Sequence, residues 1–548
     1  MTDIKFMKDV RVPMRDGLDL AANIYLPDKP GKFPVIMAFT GFGKDVFWSE
    51  QFHGFGMAYE PWSPTMTGTI TFEANDPHFW CNYDYAIMLV DPRGFNRSPG
   101  TRAKAAIDGS PGEQAVLAEG RWARDEYDAI EWAGVQEWSN GNVALSGVSI
   151  FAFSQWRVAG NPPPHLKCIN PWEGMTDFYQ DCMFPGGIPE TKFTTPEDMT
   201  TTVTNPQDTK KGGTYIKTCR FEPAWPAPEN ERPPEIEFME EDEFLEKIKL
   251  PALICGNWND HGCHTRGSFK AFRKISSEQK WLYTHGRSKW AEFYCSEGRT
   301  MRKLFFDHFL KGVDDRILSI PKVQLFVMED LQNYNIRYED DYPVKSAVPT
   351  RLYLDSASGE AGENPVTGES SVSYVWNEGC AAFNYTFKHD TELLGPSALK
   401  LFVSAEDADD MDLFVTLRKF DKNGNEIRFD STITPRNWTV AIGWMRLSYR
   451  KLNTKASTPL EPLQLRVIGV GDKVKPCEIV QCEVAILPTS VLFRKGEHIR
   501  IEVSGRYRSG EVIPWQGRCY DDTINRGRHT IYTGGKYDSS ILMPLHVM

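Results

Sequence analysis

Two short, wholly apolar runs constrain the fold of this chain more than any other feature. Phe33-Pro34-Val35-Ile36-Met37-Ala38-Phe39 and Tyr85-Ala86-Ile87-Met88-Leu89-Val90 are apolar on both faces, so as strands they must be covered on both sides, as in a parallel sheet wrapped by helices. The intervening pattern agrees. Between Glu119 and Trp138, the residues Trp122, Tyr127, Ile130, Ala133 and Val135 recur among charges at helical spacing. Asn142-Val143-Ala144-Leu145 forms a further buried run, and Ser149 to Ala159 continues as a helix. Strand, helix, strand, helix makes the first half α/β.

The pattern dissolves from about Asp177 to Glu246, where Thr, Pro, Lys and Asp predominate, and this stretch reads as an insertion over the sheet. Strand logic resumes at Pro251–Cys255, Lys280–Tyr283 and Val323–Val327. Beyond about Pro349 the strands are short and have no helices between them. His498-Ile499-Arg500-Ile501-Glu502-Val503 alternates as a half-exposed strand does, and Asn423-Gly424 reads as a hairpin turn between Asp412–Phe420 and Glu426–Phe429. These features predict a β-sandwich or jelly roll.

The length, 548 residues, suits two to four domains. Lys+Arg 62 against Asp+Glu 74 gives a net charge of -12, which argues against nucleic acid as a partner. No apolar window is long enough to span a membrane, and the first residues lack the apolar core of a signal peptide. The eleven cysteines are scattered without a CxxC pair and read as reduced thiols, so the expected setting is cytoplasmic.

The sharpest chemical signal is Gly147-Val148-Ser149, between a strand-like run and a helix-like one. A serine on such a turn projects its hydroxyl from the carboxyl edge of a parallel sheet. Phe151 replaces the second glycine of G-x-S-x-G, so the tripeptide alone fits a packing serine equally well. Context favours a nucleophile, because the order Ser, then acid, then His follows along the chain. Asp260 comes just past the strand at Pro251–Cys255, and His285 stands in the equivalent place after the next strand. In that reading His285 takes the serine proton and Asp260 orients the imidazole. His261 and His264, beside Asp260, read as loop or pocket-wall residues rather than as metal ligands.

Several motifs together resemble the cocaine esterase / X-prolyl dipeptidyl peptidase superfamily (CocE/NonD type) of α/β-hydrolases. They are Val12-Pro13-Met14-Arg15-Asp16-Gly17, Asp91-Pro92-Arg93-Gly94, the region from Gly141-Asn142-Val143 to Gln155-Trp156, Pro171-Trp172-Glu173-Gly174 and Phe305-Phe306-Asp307-His308-Phe309-Leu310-Lys311-Gly312. Asp410–Val415 and Phe493–Val503 resemble the family's C-terminal jelly roll. The resemblance implies an α/β-hydrolase core over 1–172 and 249–349, a helical cap over 173–248 and a jelly roll over 350–548. It also implies the triad Ser149, Asp260 and His285, and an acyl-enzyme that needs no cofactor or metal.

Two departures stand out. Phe42 occupies the place of the family's oxyanion tyrosine, which leaves the N–H of Ile150 with the N–H of Gly43 or the hydroxyl of Thr40 as donors; Ala152 stands where relatives often carry glycine. The expected activity is hydrolysis of an ester of a small molecule. The loss of the tyrosine keeps a non-hydrolytic rearrangement, cyclisation or acyl transfer in play, and X-prolyl dipeptidyl peptidase-like activity is a further alternative. Phe42, Trp48, Trp172 and Trp258 are the candidate substrate contacts and suggest an apolar or aromatic group. The expected partners are a small-molecule substrate and a second copy of the chain in a homodimer, with no nucleic acid and no membrane.

Overall fold

The computed structural model describes residues 3–41, 43–47, 70–94, 96–99, 121–190, 241–260, 263–431, 438–465, 471–508, 520 and 524–548. Phe42, Trp48, His261 and most of the expected cap lie outside the described residues.

The first sheet contains β1 (Ile4–Pro13), β2 (Asp19–Pro27), β3 (Phe33–Phe39), β4 (Ala86–Asp91), β5 (Ser139–Val148), β6 (Leu166–Trp172), β7 (Ala252–Asn257), β8 (Lys280–His285), β9 (Val323–Met328) and β10 (Tyr334–Glu339). Pairing sets the spatial order β1-β2-β4-β3-β5-β6-β7-β8-β9-β10. The strands from β4 to β9 in that order are parallel, with antiparallel strands at both edges. The central strands β3, β4 and β7 are buried at every residue, as their two-faced apolar sequences require.

Helices α1 (Arg121–Gly134) and α2 (Ile150–Ala159) flank β5 in sequence, and α3 (Thr265–Lys274) follows β7. The pair α4 (Lys289–Tyr294) and α5 (Ser296–Phe306) follows β8. Val135 departs from the helical expectation: α1 stops at Gly134 and Val135 is 69% exposed.

From Val348 onward the pairing is almost wholly antiparallel. The long strands Thr391–Ala405 and Val480–Phe493 pair from Thr391↔Phe493 to Val403↔Val480, with an irregularity after Gly395. A second set joins Asp412–Phe420 to Ala441–Arg446 and to His498–Ser504. The two halves meet at several points, among them Val491 beside Met328 at the end of β9 and Arg273 with Glu461.

Candidate active site

Every reactive side chain of the site stands at the carboxyl edge of the parallel sheet. Ser149 occupies the turn from β5 into α2 with φ 61 and ψ -115, a backbone conformation that a non-glycine residue holds only under constraint. Two contacts impose it. The Ser149 N–H donates to the Trp172 carbonyl at 3.1 Å, and the Val148 N–H donates to the Glu73 carbonyl at 3.3 Å. Gly147 is required because a Cβ there would lie 2.6 Å from the Phe151 Cβ. Phe151, the residue that breaks the five-residue motif, is itself fully packed in the core.

Ser149 Oγ lies 3.0 Å from His264 Nε2, and His264 Nδ1 hydrogen-bonds to Asp260 Oδ2. The histidine between serine and acid is therefore His264 and not His285. The local reason is a turn ahead of α3. The Cys263 N–H returns to the Asp260 carbonyl at 3.1 Å, which brings the next residue, His264, back beside the Asp260 carboxylate. The Thr265 hydroxyl donates to the Asn257 carbonyl at 2.9 Å and pins this turn to the end of β7. Asp260 and His264 are both buried.

His285 is engaged elsewhere. Its Nε2 lies 3.0 Å from Glu173 Oε1, and its Nδ1 accepts the Arg287 N–H at 3.3 Å. An acceptor at Nδ1 puts the proton on Nε2, so His285 donates to Glu173. The other Glu173 oxygen accepts from Asn257 Nδ2 at 2.9 Å. Glu173, Cys255 and His285 do bring three ligand-type atoms within 4.8 Å of one another. Both carboxylate oxygens and both ring nitrogens are already hydrogen-bonded, so the group is a brace between β6, β7 and β8.

Burial opposes a charge on His264, but the Asp260 carboxylate and Cys263 together outweigh it and push the imidazole up to about 10. Burial likewise pushes the Glu73 carboxyl upward against the pull of Lys289 and Trp290.

On the oxyanion side, the Gly43 N–H is tied to the Thr40 carbonyl at 3.0 Å. The Thr40 hydroxyl faces the Val90 carbonyl at 3.0 Å and Asp91 Oδ1 at 3.1 Å. Both alternative donors are thus occupied. Ile150 opens α2, where the N–H has no intrahelical acceptor. Gly41 brings the loop after β3 against Ile150: a Cβ there would lie 2.8 Å from its side chain. Trp172 is buried between Tyr283, His285 and Phe293. Trp258 is a core residue and does not face the serine: it stacks on Phe269 at 4.3 Å, and its indole N–H donates to the Phe326 carbonyl at 3.0 Å. Glu73 and Lys289, which the sequence reading missed, also stand at this edge. Both are charged residues within or beside aromatic runs, and only tertiary packing brings them together.

An α/β-hydrolase sheet with a strained serine at the strand-to-helix turn defines the class, a serine hydrolase. Comparison with known proteins agrees. Residues 16–288 match the X-Pro dipeptidyl-peptidase (S15) family and residues 317–542 the X-Pro dipeptidyl-peptidase C-terminal non-catalytic domain. A CocE/NonD family hydrolase from Staphylococcus aureus is 33% identical with a TM-score of 0.83, over 99% of this chain and 94% of that one. Cocaine esterase from Rhodococcus sp. is 26% identical over 71% of this chain and 69% of its own length. An α-amino acid ester hydrolase, 16% identical with a TM-score of 0.66 over 99% and 97% of the two chains, shares the fold. The chain belongs to the CocE/NonD family of hydrolases.

Among the described residues no helix is long and apolar enough to cross a membrane.

Proposed function

We propose that the protein hydrolyses an ester, rather than an amide, of a small apolar or aromatic molecule through an acyl-enzyme on Ser149, with His264 as base and Asp260 as its partner. The observation that carries this reading is the continuous hydrogen-bonded chain from Ser149 Oγ through His264 to Asp260. His264 Nε2 takes the hydroxyl proton as Oγ attacks the carbonyl carbon, then delivers it to the leaving oxygen. Water repeats the sequence on the acyl-enzyme. Asp260 holds the tautomer with the proton on Nδ1 and stabilises the imidazolium. The Ile150 N–H and the amino end of α2 face the developing oxyanion. The His285–Glu173 brace holds the Trp172 carbonyl that anchors the serine.

Similarity to cocaine esterase supports an ester substrate. In the same reading the core comprises 1–172 and 249–349, 173–248 forms a cap, and 350–548 forms a jelly roll.

Labelling with a fluorophosphonate, followed as intact mass, tests the assignment. Wild type is expected to gain one adduct and Ser149→Ala none. His264→Gln should label roughly 10²–10⁴-fold more slowly, and far more slowly than His285→Gln. The reverse order for the two histidines would return the base to His285. No adduct on wild type would favour the non-hydrolytic reading that rests on Phe42.

A further inference from the structure

Three lysines are buried among the described residues: Lys44, Lys289 and Lys419. Two of them complete their hydrogen bonds within the protein. Lys44 Nζ donates to Asp9 Oδ1 at 2.5 Å and Asp45 Oδ2 at 2.8 Å. Lys419 Nζ donates to the carbonyls of Glu329 at 2.7 Å and Leu492 at 2.6 Å. Lys289 differs. Its side chain is 5% exposed, and its ion-pair partner is Glu73 Oε1 at 3.8 Å, beyond hydrogen-bond reach. Among the described residues nothing else takes its three donors. That Glu73 oxygen is held instead by the indole N–H of Trp290 at 2.9 Å, and the other, Oε2, is buried without a hydrogen bond.

A buried ammonium without hydrogen bonds is unfavourable unless a ligand supplies them. The place is informative as well. Lys289 follows the end of β8 at the same sheet edge as Ser149, and the Glu73 carbonyl is bonded to the residue before Ser149. The other acids at this edge have partners of their own, Asp260 with His264 and Glu173 with His285. Burial works against the Lys289 charge, and the carboxylates of Asp260, Glu73 and Glu173 support it without giving it a hydrogen bond.

We propose that Lys289 is a specificity-determining residue whose ammonium binds a carboxylate carried by the substrate, placing that group beside the nucleophile. This rests on the ester-hydrolase reading and names the substrate class within it: an ester whose small acyl or alcohol portion ends in a carboxylate.

The test compares the mono-p-nitrophenyl ester of succinate with neutral p-nitrophenyl butyrate. Wild type is expected to prefer the anionic ester in kcat/KM, mainly through KM. Lys289→Met should reduce that preference about 10–100-fold, the factor that a charge-assisted hydrogen bond carries, and Lys289→Arg should keep most of it. Free glutarate should inhibit wild type competitively against the neutral ester, a measurement that needs no variant to fold. Equal efficiency on both esters, together with no inhibition by glutarate, would overturn the proposal. Fluorophosphonate labelling of Ser149 in the same samples separates the two readings. Labelling without anion preference removes only the role of Lys289, whereas absence of labelling removes the hydrolase mechanism beneath it.

Discussion

In the proposed mechanism the Ser149 hydroxyl attacks only when His264 is free to accept its proton, and His264 sits against the buried Asp260 carboxylate. Burial disfavours the His264 imidazolium, yet Asp260 and Cys263 together more than offset it and push the ring up to about 10. The proposed mechanism needs the neutral ring. We therefore expect kcat/KM, measured on a neutral ester, to climb from pH 7 through pH 10 without levelling off below it. Asp260→Asn should move that limb to lower pH and lower the plateau by about 10⁴-fold. Stability should run the other way. A histidine whose folded pKa exceeds its unfolded value contributes fully below the unfolded value, and that contribution is lost as pH rises through the folded one. The wild-type Tm should thus fall over the window in which activity climbs, and His264→Gln should flatten the fall. Both histidines after Asp260 satisfy the order Ser, acid, His along the chain, so order could not choose between them. The interval from Asp260 to His264 was visible, but the backbone bond from Cys263 to Asp260 that brings the two side chains together leaves no periodic signal in the sequence.

At the scale of elements, the turn from β5 into α2 works because neighbouring backbones exclude side chains. Ala152 fits at this turn because Gly174 opposite carries no side chain. A Cβ on Gly174 would lie 2.7 Å from the Ala152 Cβ. Gly174→Ala should therefore destabilise by about 1–3 kcal/mol. Ala152→Gly in the same chain should recover part of that loss, which a double-mutant cycle in urea would measure as a coupling energy. Independent, additive effects would mean that the two positions do not share this contact. The elements themselves were legible wherever periodicity was strong: β3, β4, β5 and α2 fall where the apolar runs and the helical spacing put them. The Asn423-Gly424 turn was legible in position and not in form. Only Gly424 has positive φ, because the Asp421 side chain gathers the N–H groups of Asn423 and Asn425, each at 2.8 Å. That interaction shapes a longer loop than the dipeptide alone implies.

At the scale of the whole molecule, the antiparallel half supports the loops that carry the reactive groups. Met328 ends β9 beside Val491, and its sulfur lies 3.3 Å from Asn259 Nδ2. The same Asn259 amide donates to the Gly286 carbonyl at 2.8 Å, which ties the loop after β7 to the loop after β8. No sequence period reports such contacts, since they join residues far apart in the chain through side chains that pass for ordinary core or loop positions. Beside this seam stands Lys419, fully buried, bridging the Glu329 carbonyl just past β9 to the Leu492 carbonyl and paired with Glu497 Oε2 at 3.0 Å. Burial depresses its pKa against the pull of Glu497 and Glu329. Replacing it by methionine keeps the apolar stem but leaves two carbonyls and a carboxylate without their donor. The expected cost is about 3–5 kcal/mol, read as a lower urea midpoint. If the seam also positions the loops, Lys419→Met should slow ester turnover and fluorophosphonate labelling together at temperatures where the chain is still folded. A lowered midpoint with unchanged labelling would confine Lys419 to holding the two halves together.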